Sequence, residues 1–195
     1  MKTLPQIVLA STSRYRRELL ARLGLPFEVA YPEVDEAALP EEAAPATARR
    51  LAEAKARAVA ARFPQAIVIG SDQLAVLEGT TLGKPGNHAN AVRQLKAMRA
   101  KEVVFHTALC LYNAASGQAE TRVVPYCVRF RDYSDAQIEH YLRREQPYDC
   151  AGSARSEGLG IALIAEMRGN DPNALIGLPL IALTEMLAAQ GVQVI

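Results

Sequence analysis

The chain has 195 residues, enough to bury a sizeable core as one large domain or two small lobes. Half of it is hydrophobic, and 22 basic residues nearly balance 21 acidic ones. The resulting net charge of +1 excludes a global field that draws in nucleic acid or an anionic membrane surface. The longest apolar run, Ala174 to Leu183, is interrupted by Gly177 and Pro179 and cannot span a bilayer. Ile7 to Ala10 is too short for the apolar part of a signal peptide. Three widely spaced cysteines, Cys110, Cys127 and Cys150, suit reduced thiols and a cytoplasmic setting. His88, His106 and His140 show no zinc-ligand spacing.

Taken in chain order, strands and helices alternate, which points to an α/β fold. Ile7 to Ala10 is predicted as a short buried strand, and Arg14 to Leu23 as a helix stopped by Gly24. Phe27 to Tyr31 follows as a strand, and Thr47 to Arg62 as a helix whose apolar face carries Leu51, Ala54, Ala58 and Val59. The unbroken apolar run from Ala66 to Gly70 has the pattern of a strand covered on both faces. Asn87 can cap a helix with Val92, Leu95 and Met98 on its core face. Val103 to Tyr112 and Thr121 to Arg131 form a hairpin around Ser116-Gly117, and Pro125 places the second strand at an edge or a bulge. Ser134 and Gln137 make a capping box for a helix through Leu142. A glycine-rich stretch follows from Gly152 to Gly160, and a last helix runs from near Pro179 to Gly191. With no repeat or linker, residues 1–195 are expected to form a single domain. Its architecture is a mixed, twisted sheet flanked by helices, with the hairpin and glycine-rich stretch as a second lobe and a cleft between the two.

The chemistry concentrates in a few short segments. In Leu9-Ala10-Ser11-Thr12-Ser13-Arg14-Tyr15-Arg16 a strand runs into hydroxyls and two arginines at a helix start. Free N–H groups, the helix dipole and guanidinium groups suit a polyphosphate there. The competing reading makes Ser13 an ordinary N-cap, the arginines solvated and Tyr15 a core residue. Asp72, in Gly70-Ser71-Asp72-Gln73, ends the buried strand, where ligands of α/β sheets gather. A carboxylate at that place can hold a divalent cation or take a proton from water, or simply build a turn. Lys55 lies on the apolar stripe of its helix and either finds an anionic partner or snorkels to solvent. Glu36 would complete a two-carboxylate cation site with Asp72, or is a solvated loop residue. Lys84 sits in the turn Gly83-Lys84-Pro85-Gly86, which is not a P-loop. Cys150 is read as a small buried hydrophobe, and Asp171-Pro172-Asn173 as the turn before the last helix.

Together these segments, with Val34-Asp35-Glu36, Ala54-Lys55-Ala56, Tyr148-Asp149-Cys150-Ala151-Gly152, Glu157-Gly158 and Asn173-Ala174-Leu175-Ile176-Gly177-Leu178-Pro179, resemble the Maf family of nucleoside triphosphate pyrophosphatases. They occur in the family's order over nearly the whole chain. The resemblance implies an elongated α/β fold similar to inosine-triphosphate pyrophosphatases. It also implies hydrolysis between the α- and β-phosphates with a divalent metal, magnesium, manganese or cobalt. By motif, Asp72 matches the family's proton acceptor, and Ser13, Arg16, Glu36, Lys55 and Lys84 match its phosphate- and metal-handling positions, with Glu36 and Asp72 as the metal's carboxylates. A homodimer is a further expectation from the resemblance.

Subgroups of the family differ at positions that are here Tyr15, Gln73 and Glu157. The subgroup cutting dTTP and UTP carries arginine, threonine and glutamine there; this chain departs at all three and looks like the subgroup preferring 7-methyl-GTP. Chemistry runs the same way. Ionised Glu157 can accept both N–H donors of guanine's pairing edge, and Tyr15 can stack on a positively charged methylated ring. The alternatives are a dTTP/UTP or broad modified-nucleotide pyrophosphatase and a nucleotide-binding regulator of cell division.

Overall fold

The computed structural model describes residues 5–195. Its elements in chain order are β1 (Ile7–Ala10), α1 (Arg14–Ala21), β2 (Glu28–Ala30), α2 (Ala44–Ala60), β3 (Ile67–Leu77), β4 (Thr80–Leu82) and α3 (His88–Met98). They continue with β5 (Glu102–Asn113), β6 (Gln118–Phe130), α4 (Asp135–Glu145), β7 (Ile164–Arg168), α5 (Pro172–Ile176) and α6 (Leu180–Ala189). Seven strands form one mixed sheet in the order β2-β1-β3-β5-β6-β7, with β4 paired to β3. No helix among the described residues is long and apolar enough to cross a membrane.

Two compact units emerge. The first holds the described residues up to Asp72 together with Thr107–Val124 and Asp171–Ile195; the second holds Gln73–His106 and Pro125–Asn170. β3, β5 and β6 each contribute to both.

The first unit is built on parallel pairing. β1 lies between β2 and β3, with Ala10 opposite Ala30 on one side and Gly70 on the other. β1 is buried along its whole length, as an apolar run covered on both faces should be. Side chains alternate along β3. Ile67 and Ile69 join a core with Leu9, Leu19, Leu109, Leu183, Met186 and Leu187. Val68 and Gly70 leave by the opposite face, and there α2 packs. A Cβ on Gly70 would lie 2.1 Å from the Ala52 carbonyl oxygen and 2.9 Å from the Ala56 nitrogen, so only glycine lets the helix backbone come this close. Buried Ala48, Ala52, Ala56 and Ala60 give α2 a matching flat face.

In the second unit the sequence signals are local. Asn87 accepts from the Asn90 N–H at the start of α3, whose buried residues are Ala91, Leu95 and Met98, with Val92 at the margin. Ser134 and Gln137 form the capping box of α4 reciprocally. Pro125 lies two residues before Cys127, where the antiparallel pairing of β6 with β7 begins, so its missing N–H breaks no bond to that strand.

Four expectations need correction. β3 does not stop at Gly70 but continues to Leu77, so Asp72 lies within a strand. It still stands just past the parallel pairing, which ends at Ala10 and Gly70. The edge strands β4 and β7 were not expected; both are largely exposed and so lack the apolar alternation of a half-buried strand. Asp171 does more than build a turn. Its Oδ1 caps α5 by accepting from the Asn173 N–H at 3.0 Å, and its Oδ2 accepts from the Ile181 N–H at 2.7 Å. Cys150 is half-buried rather than a core residue.

Candidate active site

The close approach of α2 at Gly70 decides where Lys55 goes. Lys55 belongs to the turn of α2 between Ala52 and Ala56, and its side chain is 6% exposed. Its Nζ donates to Asp72 Oδ1 at 2.7 Å and pairs with Glu36 Oε1 at 2.8 Å. The lysine on an apolar stripe therefore has two anionic partners, which offset the cost of removing its charge from water. Asp72 shares this burial, whereas Glu36 reaches in from the irregular segment between β2 and α2 and stays 60% exposed.

Arg16 belongs to the same cluster. It is half-buried, and its Nε donates to the Gly177 carbonyl at 2.9 Å. Burial draws its pKa below the ordinary arginine value, while Asp72 and then Glu36 oppose the shift, so the guanidinium lies in the field of both carboxylates. Ser71 Oγ donates to the same Gly177 oxygen at 2.9 Å from the interior of β3. One carbonyl at the C-terminal end of α5 thus anchors both Arg16 and the residue preceding Asp72.

Ser13 is the N-cap of α1, accepting from the Arg16 N–H at 3.4 Å, while its own N–H donates to Ser11 Oγ at 3.1 Å. The capping reading therefore holds for Ser13, and the reading of Arg16 as solvated does not. Tyr15 is half-buried and is not one of the buried residues of α1, which are Leu19 and Leu20. The Arg14 guanidinium covers its ring at 4.7 Å from the centroid and donates to its hydroxyl at 2.6 Å.

Three further candidates belong to the second unit. Gln73 follows Asp72 and leaves β3 on the opposite face, as strand alternation requires. Lys84 is exposed on a turn held at both sides. The Gly83 carbonyl accepts from Gln94 Nε2 at 2.9 Å, the Pro85 carbonyl from Asn90 Nδ2 at 2.8 Å, and the Gly86 N–H donates to the Tyr148 carbonyl at 3.0 Å. Glu157 accepts from Arg155 Nε at 3.0 Å, and Arg155 also donates to Glu145 Oε1 at 2.9 Å. Glu145, whose side chain is 9% exposed, accepts from the Leu159 N–H as well, at 2.8 Å. A Cβ on Gly158 would meet that carboxylate at 2.5 Å, so the glycine lets the loop wrap around it.

Sequence reasoning missed Ser71, Arg50, Glu42, Glu145 and Arg155. Ser71 lies inside a segment singled out for its neighbour Asp72. The others act through partners eight to ten residues away, at spacings that no helix or strand period marks.

The gathered groups are of types suited to anionic oxygens and to a divalent cation. Among the described residues no group of three His, Cys, Asp or Glu is arranged to hold a metal. Glu36 and Asp72, brought to one nitrogen, are a pair of hard oxygen donors; such a pair suits a divalent cation that completes its shell with phosphate oxygens and water. Arg16 and Lys55 beside them are suited to anionic oxygens.

A profile described as Maf-like protein matches residues 6–190. A "7-methyl-GTP pyrophosphatase" of Methylobacillus flagellatus is 64% identical over 192 residues, covering 98% of this chain and all of the relative. Proteins of the same name from Nitrosospira multiformis and Thiobacillus denitrificans are each 60% identical, over 97% and 100% of this chain and 96% of each relative. With the matched segments spread along the whole fold, the chain belongs to the Maf family.

Proposed function

We propose that this protein hydrolyses 7-methyl-GTP to 7-methyl-GMP and pyrophosphate. The cluster in which Lys55 gathers Glu36 and Asp72 beside Arg16 carries the chemistry. The names of relatives at 60–64% identity support the substrate.

The attacked α-phosphorus is shielded by negative oxygens. Glu36 and Asp72 would hold a divalent cation, magnesium, manganese or cobalt, which when bound neutralises part of that charge. Asp72 accepts a proton from the attacking water as its oxygen bonds to phosphorus. The bond from the α-phosphorus to the bridging oxygen breaks, and pyrophosphate leaves with the electron pair. Arg16 and Lys55 stabilise charge on the phosphate oxygens, Ser13 fixes the helix start that presents Arg16, and Lys84 is assigned to the phosphates as a further cation. Glu157, oriented by Arg155, accepts from the guanine N–H groups, and Tyr15 stacks on the methylated ring. Gln73 is assigned to base selection. Three free thiols fit a cytoplasmic enzyme.

The test is pyrophosphate release from 7-methyl-GTP, GTP, dTTP, UTP and CTP with magnesium or manganese and with chelator. Metal-dependent turnover of 7-methyl-GTP with little of dTTP is expected. Preferential turnover of dTTP or UTP overturns the base assignment and leaves the reaction; turnover undiminished by chelator overturns the metal.

A further inference from the structure

Glu36 reaches the active site from an irregular, mostly exposed segment, yet its carboxylate meets a nitrogen buried against β3. Something must hold that segment, because leaving it free would cost ordering entropy each time the site assembled. Arg50 and Glu42 supply side-chain contacts that hold it to α2.

Arg50 lies on α2, five residues before Lys55. Its Nε donates to Glu42 Oε1 at 2.9 Å, and its Nη2 donates to Glu42 Oε2 at 2.7 Å and to the Ala37 carbonyl at 3.0 Å. Glu42, with a side chain 13% exposed, also accepts from Thr47 Oγ1 at 3.0 Å. The Ala37 N–H donates to Asp35 Oδ1 at 3.0 Å. The residue directly after Glu36 is therefore gripped at its N–H by a turn and at its carbonyl by Arg50. The bidentate guanidinium–carboxylate pair fixes direction as well as distance.

We propose that Arg50 and Glu42 are positioning residues for Glu36. They pin the segment that carries Glu36 to the helix that carries Lys55, so that the carboxylate is set before substrate arrives. The proposal rests on the reading of Glu36 as a metal-handling carboxylate.

The experiment is a double-mutant cycle on Arg50→Ala, Glu36→Gln and the pair, read in two ways. One is binding of Mn²⁺, followed by electron paramagnetic resonance, to full-length protein with an α,β-methylene GTP analogue; the other is kcat/KM for 7-methyl-GTP. Arg50→Ala is expected to weaken Mn²⁺ binding about tenfold, in the range seen when outer-shell partners of metal ligands are removed. In the Glu36→Gln background that loss should vanish, because a residue acting through Glu36 has nothing left to position. Persistence of the full loss in the double variant overturns the proposal. If Glu36→Gln itself binds Mn²⁺ and turns over like wild type, the underlying reading of Glu36 falls, and the proposal with it. Glu42→Ala, which breaks the same pin from the other side, should behave as Arg50→Ala does and carries the cycle if that variant does not fold; wild-type Mn²⁺ binding in Glu42→Ala also overturns the proposal.

Discussion

The two compact units treat charge differently. In the first, Lys55 and Asp72 are buried at 5% and 7% exposure, and their geometry follows from how closely α2 packs on β3. In the second, Lys84 is exposed on a tied turn and Glu157 sits in a chain of ion pairs through Arg155 to Glu145. The groups suited to breaking a phosphoanhydride stand where core packing sets distance. Glu157, assigned to choosing a base, stands on a loop shaped by Gly158 and by hydrogen bonds to Glu145 and Arg155. Mutations should therefore separate rate from preference.

The sharpest separation is expected at Asp72. Asp72→Asn keeps the side chain's shape but removes both proton acceptance and charge, and turnover should fall about 10³-fold, as for loss of a general base. Relative rates across bases should stay as they were. Near-normal pyrophosphate release from this variant would end the assignment.

Gly70→Ala tests whether packing does set the first cluster. The new methyl meets the Ala52 carbonyl, so α2 must move away from β3. A loss of about 2 kcal/mol in chemical denaturation is expected, in the range for overpacked cores. Turnover should drop with it, since Lys55 rides on the displaced helix. Wild-type stability would mean that the helix gives way freely and that the close approach does not define the site.

At Glu157 the expectation reverses. Glu157→Gln should leave stability within about 0.5 kcal/mol, as for a surface change. It should erode the preference for 7-methyl-GTP over UTP in competition assays, because an amide offers a donor where guanine needs an acceptor. Unchanged relative rates would remove Glu157 from base selection.

The smallest effect concerns acid. The hydrogen bond from Arg50, helped by Thr47, holds the Glu42 carboxyl down to about 2. A carboxyl lowered in the folded state adds stability that is fully present above the unfolded value of about 4.3 and is lost as pH falls toward 2. Glu42→Gln should flatten acid unfolding in that window and lower stability at neutral pH, where the carboxylate's contribution is fully present. An identical acid profile would show that the pair is screened by solvent.

In both regions, what could be read from the chain depends on how local its signal is. β1, the Asn87 and Ser134 caps and the hairpin were legible because each is written in a local pattern of apolar residues or cap residues. β7 was not, since only its first residue is buried and an edge strand has no inner face on which to alternate. The far half of β3 was hidden by Gly70-Ser71-Asp72-Gln73, a polar stretch that reads as a turn until Ser71 and Asp72 are seen to be buried with partners of their own. Lys55, Glu36 and Asp72 were legible as candidates, but their meeting at one nitrogen depends on the packing of α2 at Gly70. Arg50 and Glu42 left no trace in the periodicity, because a clamp between a helix and the loop before it follows no period.

The bond from Arg16 to the Gly177 carbonyl joins residues 161 positions apart. Ile7 and Leu9 share a core with Met186, Leu187 and Val192 in the same way. During synthesis the first strand and helix leave the ribosome long before the segment that orients Arg16 exists. A nascent chain is thus barred from working as an enzyme until its last helix has emerged and docked, and such distant closure is a slow step in folding. Activity assayed on stalled nascent chains of increasing length should appear abruptly, at the point where α5 and α6 clear the exit tunnel.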